Sequence, residues 1–206
     1  MKKLFSRFKI NQKKSHGQSL VELALVLAVL LFMVVGVAEY GFLLNEYLNL
    51  VDATREAARA GVYTNPFNDD GTIDPNFFTG LANQVEYYME PLALNPSTDP
   101  NVKDDIVISF FGVDDSGNVV RFPQNACNCY SLYGKQTSRF TTADISNTIA
   151  GLDAPATGVL LIEVFYDYHQ KLHLPIFSNI IPDPIRVYTY AIMPLSAAEP
   201  TPTPSP

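Results

Sequence analysis

Gly17-Gln18-Ser19-Leu20-Val21-Glu22, followed by an unbroken apolar run from Leu23 to Ala38, is the stretch from which the rest of the chain can be read. Six basic residues precede it (Lys2, Lys3, Arg7, Lys9, Lys13 and Lys14), with no acid among them. From Gln18 to Glu39 is about 32 Å of helix at 1.5 Å per residue, enough to cross a hydrocarbon core. Glu22 stands at the head of this run, where a carboxylate near a membrane edge costs less than at the centre but still asks for a reason. Glu39 and Tyr40 mark the far end, with Tyr40 as an interfacial aromatic. A cleaved secretory signal has an apolar core of only about 7–15 residues and a small-residue site at its outer end. The run here is longer and passes directly into a helical pattern.

Charge gives the run a direction. The 206 residues hold 14 Lys/Arg and 21 Asp/Glu, a formal net charge of −7. With six basic residues before Gly17, the remainder carries 8 basic against 21 acidic residues, a balance of −13. Basic flanks stay cytoplasmic, so the acidic C-terminal part is expected outside. An acidic exterior domain argues against nucleic acid as a partner.

The helical pattern continues beyond the apolar run. Leu44, Leu48, Val51, Ala58 and Val62 make one rough stripe, and Tyr47, Leu50, Thr54, Ala57 and Gly61 lie beside it. Asp52, Arg55, Glu56 and Arg59 supply a polar side, with the two arginines four apart and sharing a face. Gly61 and Asn65-Pro66 end the pattern. A single helix from about Ser19 to Ala60 is about 62 Å long. Ala53, Ala57, Ala58 and Ala60 allow close packing along its outer half.

The arrangement around Gly17 resembles the processing site of type IV prepilins. "GQSLVE", the apolar helix and "REAARAG" together resemble the TadE-like pseudopilins of tight-adherence pili. The resemblance is sharp over Gly17–Gly61, softer over Val159–Met193 and absent between them. It implies cutting after Gly17 by a prepilin peptidase, with Gln18 as the mature N-terminus and Glu22 as the fifth mature residue. In pilins that glutamate is thought to pair with an N-terminal amine, an encounter that lowers the desolvation cost of both charges. Gly17 suits a scissile site because it lets the backbone approach a protease closely. The other partners it implies are pilin-like subunits, the Tad inner-membrane platform and membrane lipid. Gly36 and Gly41 are helix-contact candidates beside Glu22. The alternative is a plain signal anchor carrying a monomeric surface-binding or adhesive domain that never enters a fibre.

The expected fold is α+β: a long N-terminal transmembrane and stalk helix packed against a small antiparallel sheet, as in pilins. The organisation read from the sequence is a leader (1–17), a transmembrane helix (18–44), an amphipathic extension (45–64), an extracytoplasmic domain (65–195) and a Pro/Thr-rich tail (196–206). Within the domain, Phe77 to Met89 reads as a helix with Phe77 or Phe78, Leu81, Val85 and Tyr88 on one side. Ile106–Phe111 and Val119–Phe122 read as a hairpin around Asp114–Asn118. The segment from Pro123 to Lys135 is an excursion from that hairpin. Thr142 caps a helix through about Ile149, closed by Gly151. Val159–Tyr168 is the strongest strand, with Leu160, Ile162, Val164, Tyr166 and Tyr168 on one face and Glu163, Asp167 and His169 mixed with Leu161 and Phe165 on the other. A Pro-broken connection, Leu174-Pro175 and Ile180-Ile181-Pro182, leads to a last strand, Ile185–Met193, with Tyr188 and Tyr190 on one face. The tail is an extended polyproline segment.

Chemistry-bearing motifs are few. Cys127-Asn128-Cys129 can hold a mutual disulfide, free thiols or intersubunit bonds. In an extended segment the Cα separation is near the upper limit for a bridge, and two ligands without a second pair make a poor zinc site. Asn68-Asp69-Asp70-Gly71 with Asp74 looks like a calcium loop, but aligning Gly71 to an EF-hand puts Pro66 and Phe77 at ligand positions, so turn chemistry is expected. Asp144-x-Ser146-x-Thr148 mimics the metal motif of von Willebrand A domains, which occur in the longer TadG-like proteins, but no apolar strand precedes it. His169 and His173 are about 13 Å apart in an extended strand, too far to share a metal. No phosphate loop, nucleophile motif or ligand cluster points to an enzyme or a cofactor.

Overall fold

In the computed structural model the described residues are 16–113, 118–150, 158–172 and 181–195. Helix α1 runs His16–Gly61. The boundary between two compact units falls within it, between Gly41 and Phe42. The first unit is helical over its described residues, and its apolar side chains are outward: Leu20, Leu25, Leu30 and Val37 are all more than half exposed.

The second unit is an α+β domain. Its described residues form the last part of α1, helix α2 (Pro75–Met89), helix α3 (Thr142–Ala150) and five strands. The strands are β1 (Asp105–Val113), β2 (Val119–Phe122), β3 (Tyr130–Ser131), β4 (Gly158–Tyr168) and β5 (Ile185–Leu195). The sheet is antiparallel in the order β2-β1-β4-β5. The short β3 shares the outer edge of β1 with β2, pairing Val107 with Ser131 and Ile108 with Tyr130. The excursion read from the sequence therefore returns to the sheet.

One sheet face packs against α1 and α2. Ile106, Ile108 and Phe110 from β1, with Leu160, Ile162, Val164 and Tyr168 from β4, meet Leu50, Ala53, Ala57 and Ala58 of α1 and Phe77, Phe78, Leu81 and Val85 of α2. Aromatic rings concentrate around Phe110, which stacks on Phe122 at 4.9 Å and on Phe78 at 5.9 Å and meets Phe67 edge-on at 5.6 Å. Such contacts add to the stabilisation from area burial alone. Of the two stripes on the outer half of α1, Leu50, Thr54, Ala57 and Gly61 of the second face the core together with Ala58 of the first, whereas Leu44, Leu48 and Tyr47 are exposed. Small residues decide this: a Cβ on Gly61 would lie 2.6 Å from a methyl of Leu160 and 2.8 Å from one of Leu81. A bare backbone here leaves those leucine methyls undisplaced.

Helix α2 starts two residues earlier than the apolar pattern suggests. Asp74 is its N-cap, its carboxylate accepting from the Asn76 N–H at 2.8 Å, and Pro75 occupies the first turn where its missing N–H costs nothing. Tyr88, expected on the buried side, is 39% exposed, and Met89 is buried instead. Thr141, not Thr142, caps α3. The Thr141 hydroxyl accepts from the Asp144 N–H at 3.3 Å while the Asp144 carboxylate accepts from the Thr141 N–H at 2.8 Å. This reciprocal box uses the carboxylate that begins the metal-like motif. Asn68-Asp69-Asp70-Gly71 is a turn, with Gly71 at φ 79° and Asp70 accepting from the Thr72 N–H. The Thr72 hydroxyl and N–H hold the Asp70 carboxyl below its ordinary range. Gly151, His173 and the tail lie outside the described residues, as does most of the hairpin turn before Asn118.

The second face of the sheet is also covered. Every residue of β4 is buried. Phe111, Val159 and Leu161 pack with Ile145 of α3, and Val107 and Phe165 pack with Cys129. The polar residues interleaved on that face of β4 therefore sit in an interior.

Candidate assembly site

The charged residues of α1 define two places on it. At the start, Gln18 and Glu22 lie one turn apart on an exposed surface, and the Gln18 side-chain amide donates to the Glu22 carboxylate at 3.3 Å. This pair follows from α-helical spacing, which puts residues i and i+4 on one face. Gly17 is in the same helix, and a Cβ there would touch nothing within 4 Å. Among the described residues, nothing crowds Gly17. Gly41 is equally open. The helix beyond Glu22 is apolar enough to cross a membrane, with a mean hydropathy of 2.9 over its most apolar window. It is consistent with single-pass anchoring.

The second place is Glu46, which the sequence reading missed. It is 6% exposed and lies on the core side of α1. The Tyr166 hydroxyl of β4 donates to its carboxylate at 3.1 Å, and Lys171 Nζ lies 2.7 Å from the other oxygen. Burial, and then the Glu46 charge, push the Tyr166 phenol well above its ordinary range. The spacing Glu46, Leu50, Ala53, Ala57 is itself a helical stripe, and following that stripe back from Ala57 would have placed the carboxylate inside.

Other carboxylates hold loops. Asp105, fully buried, accepts from the N–H groups of Ile106, Tyr133, Lys135 and Gln136 and from the Ser131 hydroxyl, at 2.6–3.0 Å. Asp104 accepts from the N–H groups of Asn95 and Asp167, and burial raises its pKa. Glu163 accepts from the Arg139 N–H at 2.9 Å and from the Tyr188 hydroxyl at 2.8 Å. Its second oxygen is buried without a hydrogen bond among the described residues. The Arg139 guanidinium lies over the Tyr188 ring at 4.0 Å, and Arg121 is anchored to Ser109 and to the Phe140 carbonyl. His169 is exposed and lies 3.1 Å from Asp183.

Cys127 and Cys129 are brought together with Cα atoms 5.2 Å apart and joined as a disulfide pair. The segment is a turn and not the extended run considered from sequence, because Asn128 adopts φ 48°. Asparagine tolerates that left-handed conformation better than most residues. Among the described residues, no group of three or more His, Cys, Asp or Glu is placed to hold a metal ion.

Compared with curated proteins and with solved structures, the chain has no match. Compared with protein families, it matches the TadE-like proteins over residues 17–59, a segment that begins at the Gly17-Gln18 step, includes Glu22 and Glu46 and ends two residues before Gly61, the last residue of α1. Residues 17–59 of this chain are a TadE-like protein family domain.

Proposed function

We propose that the chain is a minor pilin-like component of a tight-adherence pilus, acting structurally in its assembly. A TadE-like domain suggests a Tad pilus assembly component. The single observation that supports the finer reading is the outward apolar surface of α1 with Glu22 at its head. In this reading a prepilin peptidase cuts between Gly17 and Gln18. Residues 18–44 cross the membrane, and the acidic domain, 65–195, lies outside. Glu22 then pairs with an N-terminal amine, its own or that of a neighbouring pilin-like subunit. A buried carboxylate and ammonium stabilise one another only when they meet. Helices in lipid associate through packing and polar pairing, so Glu22, Gly36 and Gly41 are the contact residues proposed for pilin-like subunits and the inner-membrane platform. No reaction is assigned to the chain.

Intact-mass analysis of the protein from membranes containing its peptidase tests the first step. A mature chain that starts at Gln18, and is lost on Gly17→Leu, is expected. Retention of the basic leader while the peptidase processes another substrate would leave a plain anchor. Glu22→Ala is expected to spare membrane insertion and to reduce incorporation into pilus complexes; undiminished incorporation would remove Glu22 from the assembly role.

A further inference from the structure

The turn that carries the two cysteines is held by contacts other than the bond between them. The Asn125 side chain grips the Cys129 backbone from both sides: its amide donates to the Cys129 carbonyl at 2.8 Å, and its oxygen accepts from the Cys129 N–H at 3.1 Å. The Asn128 N–H donates to the Asn125 carbonyl at 2.9 Å. With Asn128 in the left-handed region, the two Cα atoms stay within bridging range. A bond that spans one intervening residue removes little chain entropy from the unfolded state, so it contributes little to the fold. The two sulfurs also differ in access. Cys129 is 1% exposed against Val107 and Phe165, whereas Cys127 is only partly buried.

A disulfide that the fold does not need, and that presents one sulfur, is suited to exchange. We propose that Cys127 and Cys129 form a redox-active pair that accepts two electrons from a dithiol. A thiolate of the dithiol attacks Cys127 Sγ, forming a mixed disulfide. The Cys127–Cys129 bond breaks, and its electron pair leaves on Cys129, which takes a proton. The second thiolate of the dithiol then attacks its own partner sulfur and releases Cys127, which is protonated in turn. The dithiol ends as a disulfide and the pair as two thiols. The proposed location outside the cytoplasm bears only on which dithiols the pair meets, since the chemistry belongs to the turn itself.

The full chain, with two cysteines in all, is titrated in detergent micelles with glutathione redox buffers, and its thiols are counted by the mass added on maleimide labelling. The expected result is complete and reversible reduction in millimolar reduced glutathione with the circular dichroism of the folded domain retained. In oxidised glutathione, Cys129→Ser is expected to form a mixed disulfide at least about tenfold faster than Cys127→Ser, since thiol reactivity follows access. Three results each overturn the proposal: a pair that stays oxidised in that buffer, a pair that never oxidises, or unfolding on reduction. Equal reactivity of the two folded variants removes Cys127 as the attacked sulfur. The wild-type titration decides the matter even if a variant misfolds. A pair that titrates in a chain that keeps its leader beside a peptidase active on another substrate would keep this proposal and reject the pilin reading.

Discussion

Tyr166 on β4 donates its phenolic hydrogen to Glu46 on α1, a 3.1 Å bond that joins residues 120 positions apart. It ties the helix to an inner strand of the sheet at a carboxylate that is nearly sealed from water. Lys171 shares that carboxylate from a half-exposed position. Removing the phenol leaves the buried charge with fewer partners, which costs more than an ordinary exposed hydrogen bond. Tyr166→Phe is therefore expected to destabilise the domain by about 1–3 kcal/mol. The check is thermal or denaturant unfolding of the full chain in micelles. A change below about 0.3 kcal/mol would show that Lys171 alone satisfies Glu46.

The fold should weaken at high pH through Tyr133. Burial, and then its hydrogen bond to Glu86 at 2.8 Å, push its phenol up to about 12. An unfolded tyrosine titrates near 10, so the folded state holds the proton more tightly. The associated stability is complete below about pH 10 and is lost as pH rises towards 12. Tyr133→Phe should make the stability profile shallower in that window. An unchanged slope between the two proteins would disprove the assignment.

Asp105 gathers the segment from Ser131 to Gln136 with one side chain. Asparagine in its place keeps the volume but offers one acceptor oxygen, with an NH2 group facing N–H donors. Asp105→Asn should cost about 2–4 kcal/mol, as expected for breaking a buried hydrogen-bond network. Amide exchange at Tyr133, Lys135 and Gln136 should accelerate more than exchange within α2. Uniform acceleration across the domain would indicate a global effect and not a released loop.

Two glycines should respond in opposite directions to alanine. At Gly61 the new methyl would press on Leu160 and Leu81, and overpacking of this kind costs roughly 1–3 kcal/mol. At Gly80, inside α2, a Cβ meets nothing within 4 Å, so the substitution should stabilise by up to about 1 kcal/mol through helix propensity. Paired melting curves decide this. A stabilised Gly61→Ala protein would mean that the α1–sheet contact is looser than described.

The long-period features were legible before the structure. A continuous apolar run, the helical spacing after it and the alternation in Val159–Tyr168 are local signals, and they lead directly to α1 and β4. What escaped depends on partners distant in sequence. The choice of Leu50, Thr54 and Ala57 over Leu44 and Leu48 is made by the close approach of the sheet at Gly61. The return of Tyr130–Ser131 to β1 depends on Asp105. The Gln18–Glu22 pair follows from spacing alone, whereas Glu46 becomes a site only when Tyr166 and Lys171 arrive from β4 and the residues after it.

Among the described residues, five carboxylates are buried: Glu46, Asp104, Asp105, Glu163 and Asp167. N–H groups and hydroxyls hold them within the domain, and Glu46 and Asp167 also face the more exposed cations of Lys171 and Arg186. An approaching molecule consequently meets these five as part of the overall field and finds no open acceptor among them. Direct ion pairs with a partner, and the salt-screened part of any encounter, should therefore be made by outward carboxylates such as Asp52, Glu56, Asp69 and Asp70.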